Sequence, residues 1–132
     1  MQKVVVRYLD GRVVRGHTAN FNPAAASFLL DPADTSASRD KVVVEVKQIK
    51  ALFFVRNFQG NPKHRDKKTY RDGSGYQGRK VTVTFSDGEV FVGSTLSRDP
   101  HQLGFFVFPA DPESNTVKAF VPNAAVKNVA VQ

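Results

Sequence analysis

The chain is written twice. Residues 3–55 and 80–132 align without a gap at a constant offset of 77 residues, and 16 of the 53 aligned positions are identical. The shared set includes Val4/Val81, Val6/Val83, Asp10-Gly11/Asp87-Gly88, Gly16/Gly93, Thr18/Thr95, Phe28/Phe105, Pro32-Ala33-Asp34/Pro109-Ala110-Asp111, Val44/Val121 and Lys50/Lys127. Any fold must therefore be buildable twice from about 53 residues, and a unit that small buries only about 60% of its unfolded surface. The expectation is two units, residues 1–55 and 80–132, that share stabilisation by packing together, with a connector at 56–79.

Reading the copies against each other settles what one copy leaves ambiguous. Val4-Val5-Val6-Arg7-Tyr8-Leu9 is apolar on both faces, but its twin Val81-Thr82-Val83-Thr84-Phe85-Ser86 alternates with period two, as a half-buried strand does. Val4, Val6 and Tyr8 are thereby assigned to the core. Asp10-Gly11 and Asp87-Gly88 predict two-residue type I′ hairpin turns, which need positive φ at both positions. Gly16 and Gly93 fall inside the second strand, where glycine marks a bulge or bend. Aromatic strands follow at 27–30 and 104–108, then strands near 42–46 and 118–121, a single 3₁₀ turn, and last strands at 51–55 and 128–131. The expected class is all-β, a tandem pair of five-stranded units whose strand order resembles a small SH3-like barrel.

The copies also disagree, and the disagreements are informative. With Phe28/Phe105, Leu30/Val107, Leu52/Val129 and Phe54/Val131 facing inward, Phe53, Phe106 and Phe108 face outward in one copy only. Such one-sided aromatics either pack one unit on the other or form a contact surface for a protein partner. They are the partner-binding candidates.

The net charge of +7 is concentrated: residues 1–55 carry 8 − 5 = +3, residues 56–79 carry 7 − 2 = +5, and residues 80–132 carry 4 − 5 = −1. The connector interleaves Lys63, Arg65, Lys67, Lys68 and Arg71 with Tyr70 and Tyr76. Cations neutralise phosphates while aromatics stack on bases, so this stretch is the candidate for nucleic-acid or nucleotide-phosphate binding, against the plain alternative of a solvated spacer. Absence of cysteine excludes disulfides and thiolate chemistry and fits an intracellular setting, and no apolar run reaches membrane-spanning length. A soluble, cytoplasmic protein is expected.

No catalytic, metal or cofactor constellation emerges. His17, His64 and His101 lack metal-ligand spacing and are read as surface residues. Asp34 and Asp111 each follow Pro-Ala and are read as turn formers, since Asp readily bonds its own downstream backbone. Gly73-Ser74-Gly75-Tyr76-Gln77-Gly78 has the spacing of a dinucleotide fingerprint, but a strand follows it instead of a helix. The expectation is a non-catalytic binding, adaptor or regulatory module that engages a protein partner.

From the first strand through Asp10-Gly11, Gly16 and Phe21-Asn22 to the apolar third strand, each copy resembles the first signature of the Sm-like fold. The resemblance implies a small barrel and a base-contacting role for Asn22 and Asp99. The later asparagine of that signature is replaced by Ala25-Ala26-Ser27 and Gln102-Leu103-Gly104, and the second Sm signature, with its Arg-Gly, is missing. Asp72-Gly73-Ser74 and Gly78 partly resemble the turn of PilZ barrels, without their Arg-x-x-x-Arg string. Through Lys50-Ala51-Leu52-Phe53-Phe54-Val55-Arg56-Asn57-Phe58 and Gly104-Phe105-Phe106-Val107-Phe108-Pro109-Ala110-Asp111, nearly the whole chain resembles an uncharacterised bacterial family of duplicated small β-barrel domains.

Overall fold

The computed structural model describes residues 2–19, 21–33, 41–58, 78–111 and 113–131. The protein is all-β, with ten antiparallel strands in one open sheet and no α-helix among the described residues. The first half supplies β1 (Gln2–Tyr8), β2 (Val13–Thr18), β3 (Ser27–Pro32), β4 (Val42–Glu45) and β5 (Ile49–Val55). The second supplies β6 (Arg79–Phe85), β7 (Val90–Thr95), β8 (Gly104–Pro109), β9 (Thr116–Pro122) and β10 (Val126–Val131). A single 3₁₀ turn precedes the last strand of each half, at Val46–Gln48 and Asn123–Ala125. No helix among the described residues is long and apolar enough to cross a membrane.

Across the sheet the order is β10-β6-β7-β8-β9-β5-β1-β2-β3-β4. Within each half the fifth strand lies beside the first, with the second, third and fourth following. The halves meet where β5 pairs antiparallel with β9, in the register Leu52↔Phe120, Phe53↔Ala119 and Phe54↔Lys118. The small size of each unit predicts that the halves pack together, but not that they share a hydrogen-bonded ladder.

Two apolar clusters lie along this sheet. The first gathers Val4, Val6, Tyr8, Phe28, Leu30, Val44, Val46, Ile49, Leu52 and Phe54, with Phe120 from the second half. The second gathers Val81, Val83, Phe85, Phe105, Val107, Ala119, Val121 and Ala125, with Ala51 and Phe53 from the first half. Each half therefore completes the other's core, and each fully buried Val, Leu or Phe contributes about 1.5–3 kcal/mol. β5 is buried on both faces because one face covers each cluster, which explains its unbroken apolar run Ala51-Leu52-Phe53-Phe54-Val55.

Two local expectations are corrected. The hairpins are not type I′: no described residue other than glycine has positive φ, while Gly11 and Gly88 lie at 97° and 93°. Gly11 N–H donates to the Tyr8 carbonyl and Tyr8 N–H to the Arg12 carbonyl, with Gly88, Phe85 and Glu89 repeating the pattern. This is a type I turn closed by a glycine bulge, and it spares the Asp the left-handed conformation. The Asp carboxylates instead accept the backbone N–H two residues on, from Arg12 and Glu89. Val131, expected inside, is 55% exposed because β10 is an outermost strand, with a neighbour on one side only among the described residues.

Gly16 and Gly93 mark where the second strand crosses closely over the third. A Cβ on Gly16 would stand 2.5 Å from the Asp31 carbonyl oxygen, and one on Gly93 would collide with the Phe108 carbonyl. Backbone pairing there is short, and the Thr18 and Thr95 hydroxyls extend it by donating to the Leu29 and Phe106 carbonyls.

Candidate functional site

Several polar residues identical in the two halves serve turns and strand contacts. Asp111 is buried and accepts the Glu113 N–H through Oδ1 at 2.9 Å, the downstream bond expected of a turn former. Asn22 and Asp99, which the Sm-like resemblance singled out, accept the N–H groups of Ala24 and His101 and so cap the loops before the third strands. His17 departs from the surface reading, since its half-buried ring meets Phe58 edge-on at 5.3 Å between centroids. His101 is exposed. Among the described residues no group of His, Cys, Asp or Glu is arranged to hold a metal ion.

The three aromatic candidates occupy two separate places. Phe53 is buried in the second core, tilted against Phe91 at 6.1 Å and capped by the Arg7 guanidinium at 5.9 Å. Phe106 is partly buried against the first core, where its ring meets Phe21, Phe54 and Phe120. Phe108 lines, with Phe106, a cavity of about 250 Å³ beside Pro23 and Asp99.

A second cavity, of about 300 Å³, opens over the joint between the halves. Its floor is Val5, Phe53, Val55 and Phe91, and its rim carries Arg7, Arg15, Glu89 and Phe58. The connector leaves from this rim. Arg56 N–H donates to the Asn115 carbonyl, Asn57 N–H to Asn115 Oδ1, and Asn115 Nδ2 to the Asn57 carbonyl. Lys63, Arg65, Lys67, Lys68, Tyr70, Arg71 and Tyr76, the anion-binding candidates, lie outside the described residues, as do Asp34, His64 and most of the glycine-rich stretch.

Sequence reasoning passed over Lys50, the one buried cation among the described residues. Its ammonium donates to Asp87 Oδ2 at 2.7 Å and Glu89 Oε1 at 2.9 Å, and lies over the Phe85 ring. Burial opposes its charge, but the two carboxylates outweigh that penalty and raise its pKa above the ordinary lysine value. The hydrogen bond from Lys50, then the Glu89 N–H, holds the Asp87 carboxyl below the usual range. The pair ties β5 of the first half to the β6–β7 hairpin of the second. Its sequence signal was a lysine at the head of an otherwise apolar strand.

The open edges were passed over as well. β4 and β10 end the sheet, and Val42, Val43 and Val131 are exposed on them at 41%, 61% and 55%. Leu29, opposite Val43 in the neighbouring strand, is exposed too. Apolar edge strands present both hydrogen-bonding groups and side chains to an added strand.

Compared with known proteins, the chain matches over residues 1–132 a family described as a family of unknown function (DUF6982), and it belongs to that family. No curated protein and no solved structure matches it.

Proposed function

We propose that this member of DUF6982 is a non-catalytic interaction module: two small SH3-like or Sm-like barrels related by duplication, at 1–55 and 80–132, that engage a protein partner by strand addition. The observation that carries the reading is the pair of outermost strands with exposed valines, a surface that backbone pairing and side-chain burial would both complete. The non-catalytic part draws support from the polar residues common to both halves. Asp111, Thr18 and Thr95 are engaged with backbone groups in turns and between strands.

A second reading rests on the groove over the joint. Arg7 and Arg15 border its aromatic floor, and the basic connector starts at its rim, an arrangement that suits a phosphate-bearing strand whose bases stack on rings.

Photo-crosslinking in the native cell separates the two. With p-benzoylphenylalanine at position 43 or at position 58, a protease-sensitive adduct is expected at 43. A nuclease-sensitive adduct at 58 with none at 43 would overturn the protein reading in favour of nucleic acid.

A further inference from the structure

The joint inside the chain is half of a relation whose other half is left open. In the joint, the fifth strand of the first half (β5) pairs with the fourth of the second (β9). The corresponding strands 77 residues away are β10 and β4, and these are the two ends of the sheet. We propose that β10 of one copy pairs with β4 of a second copy in the register of the internal joint, so that the partner at the sheet edges is the chain itself.

The correspondence can be followed residue by residue. Shifting Leu52↔Phe120, Phe53↔Ala119 and Phe54↔Lys118 by 77 in opposite directions gives Val129 opposite Val43, Ala130 opposite Val42, and Val131 opposite Lys41. At the internal joint Leu52, Phe53, Phe54, Ala119 and Phe120 are all buried. At the ends the matching Val42, Val43 and Val131 are among the exposed large apolar residues. Leu29 fits the same scheme, since its counterpart Phe106 packs with Phe120 on the first core, and Leu29 stands beside Val43. Pairing between copies would cover four apolar side chains that otherwise face water, and would complete both edge ladders.

The joint between copies is the weaker of the two, for reasons visible in the sequence. Ala130 stands where Phe53 stands, so less apolar area is covered. Lys127, the counterpart of Lys50, would meet Asp10, but Arg12 occupies the place of Glu89 and already binds the Asp10 carboxylate at 2.8 Å. Association is therefore reversible and concentration-dependent. Because the two surfaces differ, it runs head to tail, ending only when a ring closes.

This inference rests on the proposed use of the sheet edges, and a test on the purified chain separates the two. In sedimentation velocity the full chain is expected to grow in mass with concentration. Val43→Glu and Val131→Glu each block one edge at an exposed side chain, so each variant alone stays a single chain while its circular dichroism and melting remain those of the parent. Mixed together they form a two-chain species and nothing larger, because one intact β10 meets one intact β4. The sequence has no cysteine, so Val43→Cys mixed with Val129→Cys provides a second measurement. The proposed register places the pair across one ladder rung, within reach of a disulfide. A parent chain that stays single at every concentration, a single variant that still associates, or mixtures giving neither dimer nor crosslink would overturn self-pairing. The adduct at position 43 would then still report on a different protein partner.

Discussion

β5 and β10 occupy the same place in their respective halves, yet they live in opposite surroundings. β5 lies mid-sheet with six of its seven residues buried, whereas β10 ends the sheet with none buried. Their sequences follow their positions: Ile49-Lys50-Ala51-Leu52-Phe53-Phe54-Val55 has apolar groups for two cores, and Val126-Lys127-Asn128-Val129-Ala130-Val131 for little more than one. The lesson is that the differences between the aligned halves follow where each strand sits in the joined sheet. An aromatic present in one half only can therefore be a core residue of the other half.

The sharpest way to break this comparison is to truncate the side chains exchanged between the halves. Phe53→Ala and Phe120→Ala should each cost about 3–5 kcal/mol in urea unfolding, as buried Phe truncations do. Each should loosen the core of the half to which the residue does not belong, which methyl chemical shifts of Val83 and Val6 would report. A smaller effect is expected from Gly93→Ala, about 1–3 kcal/mol, because the new methyl meets a backbone carbonyl that cannot yield easily.

The Lys50 ion pair sharpens the comparison through pH. Asp87 titrates below its ordinary value in the folded chain, so its contribution is present at neutral pH and is lost as pH falls from 3.8 through the lowered folded value. Lys50 behaves in the opposite sense, its contribution being complete below 10.5 and lost as pH rises through its raised folded value. Asp87→Asn should therefore reduce stability at neutral pH and converge with the parent in acid, measured as urea midpoints across that range. The smallest effect belongs to β10: Val131→Ala should stay within about 0.5 kcal/mol in dilute solution, as exposed substitutions do. A large loss there would mean that β10 is covered even in the single chain.

Period-two alternation made the core of β6 legible, and alignment with β6 carried the assignment to β1, whose own sequence is apolar on both faces. The 3₁₀ turns were legible from their length and position. The turn type was not, because Asp-Gly satisfies both a type I′ turn and a type I turn with a bulge, and only the strand ends decide between them. The joint between β5 and β9 was missed for a related reason. An apolar run of five residues states that two faces are buried without stating by what. Lys50 was invisible as a site because its partners lie on a hairpin 37 and 39 residues away.

The clasp between Asn57 and Asn115 and the seating of Gly78 against Thr95 have a consequence for how this chain can vary in length. Both ends of the connector are fixed to a sheet that is already continuous through β5 and β9, so the halves are joined by that ladder as well as by the covalent chain. Loop-closure entropy rises only logarithmically, about 0.6 kcal/mol for each doubling of length. A longer covalent tie between those two anchored ends therefore adds little closure cost to a sheet that β5 and β9 already join.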